Sequence, residues 1–162
     1  MEYREWRFVD KSTWDRGIWD SEPDKIQWAD DDTGLPCLIV RHPTSGHLCG
    51  YVGVADGHPW FGKDYGAADV SCHGGLTFAG ACVESEKETG VCHIPGPGET
   101  DHVWWFGFDC AHSGDRSPGH SALLNSWYGM PEQYRSVRYV RGQVASLAEE
   151  IHAVVKESKP AG

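Results

Sequence analysis

From Val137 to Val154, apolar residues recur at alternating steps of three and four: Val137, Val140, Val144, Leu147, Ile151 and Val154. On a helix these six side chains fall in one stripe, which must be covered by something else in the chain. Pro131 suits a first helical turn, so the helix is expected to start there or near Ser136. Gly142 lies off the stripe, where it weakens the helix without disturbing its packing face.

The cover is legible upstream as strands. Ile26 and Trp28 alternate with polar neighbours, residues 35–41 form a continuous apolar run, and residues 47–54 alternate again. Asp31-Asp32-Thr33-Gly34 and Pro43-Thr44-Ser45-Gly46 separate them as turns, which predicts an antiparallel meander. Residues 76–83 and 102–109 add two more strands, with loops at 55–70 and 84–101. The expected fold is α+β: a mainly antiparallel sheet of about five strands with the long C-terminal helix packed on it. One domain is expected over residues 1–162, with 1–24 an irregular Trp-rich arm pinned by Trp6, Phe8, Trp14 and Trp19, and 158–162 a frayed tail.

Charge narrows the partners. Fourteen Lys and Arg against 24 Asp and Glu give a net charge of −10, which repels bulk nucleic acid and anionic membranes. A small-molecule ligand is the expected partner, and a homo-oligomer is compatible with the composition. The opening Met-Glu-Tyr-Arg-Glu-Trp lacks the apolar run of a signal peptide, and no stretch is long enough to span a membrane, so a cytoplasmic location is expected. By the same reasoning the six cysteines are expected as reduced thiols, with Cys37, Cys49 and Cys82 acting as small buried hydrophobes.

Two polar segments concentrate the chemistry. In Ser71-Cys72-His73-Gly74-Gly75 the glycines allow close backbone approach, so Gly74 and Gly75 are candidate ligand contacts beside the His73 imidazole. In Phe108-Asp109-Cys110-Ala111-His112-Ser113-Gly114-Asp115, a sharp bend puts Asp109, His112 and Asp115 on one side. His73, Asp109, His112 and Asp115 are therefore the candidate catalytic residues. His73, Asp109 and His112 are also candidate ligands for a divalent metal, and Asp64 or Asp69 could join them. The plain competing readings are a tight turn whose His73 satisfies a neighbouring carbonyl in the first segment, and in the second a turn capped by Asp109 with Asp115 solvated.

Other features carry weaker signals. Cys72-His73, Cys92-His93 and Cys110-x-His112 set thiol and imidazole together, but without the Cys-x-x-Cys spacing of structural zinc. Cys72 or Cys110 is a conceivable nucleophile, though the adjacent Asp109 disfavours a thiolate at Cys110. Arg135, Arg138 and Arg141 recur every three residues; Arg135 and Arg138 are candidate anion ligands, against a solvated helix face as the alternative. The loop 57–66 offers Trp60 to stack on a ring and Lys63 to touch an anion, or is a compact loop packed by its own side chains.

At His73-Gly74-Gly75-Leu76-Thr77-Phe78 and Gly107-Phe108-Asp109-Cys110-Ala111-His112-Ser113-Gly114-Asp115 the chain resembles a family of small uncharacterised proteins from bacterial and phage genomes, from about Trp28 into the C-terminal helix. The resemblance assigns no catalytic role to any residue. A phage setting implies host-directed tasks, such as capture or destruction of a signalling nucleotide.

Together these residues predict a small hydrolase, metal-assisted or metal-free, acting on a compact polar or phosphorylated, nucleotide-like molecule. The metal-free form would use His73 or His112 as general base. The rivals are a binding protein that sequesters a nucleotide-like ligand without turnover, and a protein-interaction domain.

Overall fold

The computed structural model describes residues 1–120 and 131–158. Six strands form one sheet: β1 (Arg4–Trp6), β2 (Lys25–Ala29), β3 (Pro36–Arg41), β4 (Leu48–Ala55), β5 (Phe78–Ala81) and β6 (Val103–Asp109). Their order is β1-β2-β3-β4-β6-β5, every neighbouring pair antiparallel. A helix, α1 (Val137–Ser158), packs on β3 and β4. The α+β architecture is as the sequence predicts, with one strand more: β1 belongs to the arm, where no regular element is expected. Residues 131–136 are not helical, so the start near Ser136 is the correct alternative. The helix also takes in Ser158, placed in the frayed tail by the sequence; the rest of that tail lies outside the described residues. Among the described residues, no helix is long and apolar enough to cross a membrane.

Both faces of the sheet are buried, which explains why residues 35–41 read as a continuous apolar run. Ile26, Trp28, Ile39, Val52, Phe106 and Phe108 meet Val140, Val144, Leu147 and Ile151 of α1 in one core. Leu38, Val40, Tyr51 and Trp105 point to the other face. There the loop between β5 and β6 covers them, tied down by polar side chains of β2. Lys25, fully buried, donates through Nζ to the carbonyls of Lys87 at 2.6 Å and Cys92 at 2.7 Å, and burial pushes its pKa down to about 8. Gln27 donates to the Ile94 carbonyl and accepts from its N–H. Cys82 and Cys92 form a disulfide across the same loop. The expectation of six reduced thiols therefore fails for this pair: the register of β5 and the return of the loop bring the two Cα atoms within 4.6 Å.

The arm is held by ions. Asp24 accepts the backbone N–H of Phe8 and Val9 and pairs with Lys11 and Arg41, each at 2.9 Å. Glu22 accepts from Tyr134 Oη and from Val137 N, at the N-terminus of α1, where a carboxylate also meets the positive end of the helix dipole. Trp19 packs edge-on against Tyr134, and the Trp6 ring lies under the Lys25 ammonium, whereas Phe8 is exposed.

Candidate functional site

Gly74 and His112 join the two polar segments. Gly74 has φ +69°, and a Cβ there would collide with the His112 imidazole, so only glycine lets the 71–75 turn close on the 109–115 bend. The rings of His73 and His112 lie 5.9 Å apart. His73 Nε2 is 2.7 Å from Asp115 Oδ2, and its Nδ1 is 2.7 Å from Tyr139 Oη on α1. With a carboxylate on Nε2, the neutral ring carries its proton there and Tyr139 donates to Nδ1.

Asp115 is the hub of this cluster. Its Oδ1 accepts from Arg135 Nε at 2.8 Å, and Oδ2 also takes the His112 N–H at 3.1 Å. Burial alone would raise its pKa, but hydrogen bonds from Arg135, His73 and the His112 backbone outweigh burial and hold it below the usual carboxylate value. The bend itself is built by Asp109, whose Oδ1 accepts the Ala111 N–H and whose Oδ2 accepts from Thr77 Oγ1.

These contacts bear on three of the sequence-derived roles. Both His73 nitrogens are engaged by the chain, so His73 has no lone pair left for a metal or a water. His112 Nε2 is buried, 3.3 Å from Asp109 Oδ1 without hydrogen-bond geometry. Among the described residues, no three His, Cys, Asp or Glu are grouped to hold a metal ion, so the set of His73, Asp109 and His112 does not assemble as metal ligands. Arg135 pairs with Asp115 and Gln133 and lies over the Tyr139 ring at 4.9 Å, so much of its guanidinium is engaged within the chain. Arg138 is exposed on α1 and does not line the cluster's cleft.

Gly75 stands beside this cluster, with φ +81° and open space around its Cα. Trp60 and Lys63 lie elsewhere. Trp60 packs on Phe106 at 6.1 Å, and the Lys63 carbonyl accepts from Trp104 Nε1, so the 57–66 loop is bound to the sheet by its Trp60 ring and by a β6 side chain on its backbone. Asp64 accepts the N–H of Tyr65 and does not join the cluster. The cysteine alternatives also weaken: burial, with Glu150 nearby, pushes the Cys72 thiol up to about 11, and burial with Asp115 raises Cys110 further.

The cleft that His112 lines holds about 310 Å³ and is shared with Ser45, His47, Ser113, Asp115, Ser117 and Glu132, among others. Its far wall is the turn between β3 and β4, closed by His42 N–H on the His47 carbonyl and by Gly46 N–H on the His42 carbonyl. His42 Nδ1 accepts the N–H groups of Thr44 and Ser45, and its ring stacks on His47 at 5.1 Å. Within this turn Ser45 Oγ is 2.7 Å from His47 Nδ1. Burial, reinforced by His42, lowers the His47 pKa and keeps the ring neutral near pH 7, able to accept the Ser45 proton. Sequence reasoning missed this pair because residues 43–46 read as an ordinary turn. The signal present was a serine two residues before a histidine, a spacing that returns two side chains to one side of the chain.

The fold and site together define an α+β domain with a polar, histidine-lined cleft at one end of the sheet, carrying a serine–histidine pair. No family model, curated protein or solved structure matches the chain.

Proposed function

We propose that the chain is a small hydrolase of a compact polar or phosphorylated molecule, with Ser45 as nucleophile and His47 as its base. The observation that carries this reading is the 2.7 Å approach of Ser45 Oγ to the half-buried His47 imidazole inside the His112 cleft. Ser45 Oγ bonds to the substrate's carbonyl carbon or phosphorus while its proton passes to His47 Nδ1. The leaving group departs with that proton. Water then attacks the Ser45 adduct, His47 takes a proton again, and Ser45 is regenerated. His112 supplies hydrogen bonding to the bound molecule, and Asp115, through its bonds to His73, Arg135 and the His112 backbone, is a positioning residue. p-Nitrophenyl acetate, p-nitrophenyl phosphate and a nucleotide panel test the reading. Turnover of at least one, lost by at least 100-fold in Ser45→Ala and in His47→Gln with folding retained, supports it; turnover unchanged in both variants overturns it.

Sequestration without turnover is the second reading. It is favoured by two residues of this cleft, His112 and Glu132, each of which buries a side-chain atom, Nε2 and Oε2, with no hydrogen-bond partner among the described residues. Nucleotides re-extracted intact after tight retention would support capture over hydrolysis.

A further inference from the structure

His93 sits on the opposite face of the sheet from α1, in the loop that covers β2, β4 and β6. It is 2% exposed, and its Nδ1 is buried with no hydrogen-bond partner among the described residues. A buried imidazole nitrogen left unpaired weakens a fold, so one that persists needs a reason. The ring is also held firmly. Its neighbour Cys92 is fixed by the disulfide to Cys82 and by Lys25 on its carbonyl, and Ile94 is clamped on both sides of its backbone by Gln27. The imidazole packs edge-on against Trp105 at 5.5 Å, and Trp105 likewise buries its Nε1 unpaired.

This ring opens on a recess of about 430 Å³, lined by Leu35, Pro36, Ala55, Val103 and Thr100 beside His93. The walls are mainly apolar, with a few polar groups at the recess, His93, Thr100 and the paired Met1 ammonium and Glu99 carboxylate, which is the make-up of a small-molecule pocket. Glu99 is paired there with the Met1 ammonium, so neither charge at the recess is left to hold an ion, and the net charge of −10 disfavours an anion. The recess shares no lining residue with the His112 cleft. We propose that it binds a small, neutral, largely apolar molecule through a hydroxyl group that hydrogen-bonds His93 Nδ1. A hydroxyl can donate or accept and so suits either tautomer of the ring. Burial lowers the His93 pKa, in keeping with a neutral ring facing a neutral guest.

Phenol and toluene are rings of nearly equal size that differ by one hydroxyl, and titrating each into the full chain followed by NMR tests the proposal. Phenol is expected to bind at least ten times more tightly than toluene, with shifts at Leu35 and Val103. In His93→Phe the ratio is expected to fall to near one. Ala55 is exposed at the rim, and Ala55→Trp, which fills the recess, is expected to abolish binding of both rings. Equal affinities in the wild type, no saturation by phenol, or wild-type phenol binding in Ala55→Trp would each overturn the proposal. All three hold even if His93→Phe fails to fold.

Discussion

One carboxylate oxygen of Asp115 meets His73 Nε2 at 2.7 Å, and this single contact fastens the glycine turn to the bend that follows β6. The other oxygen meets Arg135, so Asp115 also ties both segments to the entry of α1. Its side chain is 1% exposed, and removing its charge leaves a guanidinium and an imidazole without their acceptor. Asp115→Ala is expected to cost roughly 2 to 4 kcal/mol, somewhat less than breaking a fully buried ion pair, because the Arg135 side chain is 22% exposed. Because its folded pKa is lowered, the stabilisation is present above the unfolded carboxylate value and lost as pH falls through the folded one. Urea unfolding at pH 7 and below pH 4 reads both effects: the variant's deficit should shrink in acid.

Gly74 and Gly75 give a paired comparison. Both have positive φ, +69° and +81°, so an alanine is strained at either. Only at Gly74 does the added Cβ meet the His112 ring; at Gly75 it meets nothing within 4 Å. Gly75→Ala is expected to cost about 1 kcal/mol from backbone strain alone. Gly74→Ala should cost at least 1 kcal/mol more and displace His112, seen as a shift of its ring resonances that Gly75→Ala lacks. Equal costs and unmoved His112 signals would contradict the geometry.

Much of this architecture was readable because burial leaves a periodic trace. The stripe from Val137 to Val154 predicts α1, and the unbroken apolar run at 35–41 follows from a strand covered on both faces. The meeting of His73 with Asp115 was legible as two glycine-flanked polar segments, although both His73 nitrogens are spent within the chain. What escaped depends on closure in space. The Ser45–His47 pair arises when a turn folds back, the Cys82–Cys92 bond when a loop returns to β5, and Arg135 is engaged by a carboxylate 20 residues away. None of these leaves a period in the sequence.

The pH behaviour of His47 follows from its lowered pKa. Burial and His42 favour the neutral ring, so the folded chain binds fewer protons than the unfolded one just below pH 6.5. Stability therefore rises with pH across that window and is lost as pH falls below it. A hydrolase using His47 as base should lose kcat/KM on the acid limb with an apparent pKa under 6.5. His42→Ala removes one cause of the shift and should move that limb upward. A limb that stays in place would remove His42 from the account.

The same turn rests on Arg41, which is fully buried and saturated by the chain. Its Nε meets Asp24 at 2.9 Å, one terminal nitrogen reaches the Gly46 carbonyl and Tyr134 Oη, and the other the Pro23 carbonyl. The guanidinium thus joins the arm, the Ser45 turn and the approach to α1 through a planar fork that an ammonium cannot reproduce. Arg41→Lys keeps the charge opposite Asp24 but gives up most of these bonds, and should cost roughly 3 to 5 kcal/mol, as for a broken buried ion pair. Arg41→Met combined with Asp24→Leu removes both charges and should be less damaging than Arg41→Met alone, where Asp24 keeps only Lys11 as a charged partner. Thermal unfolding of the three variants decides between them. If Arg41→Lys unfolds like the wild type, the fork geometry is not what holds the turn, and Ser45 and His47 owe their 2.7 Å approach to the backbone bonds of the turn alone.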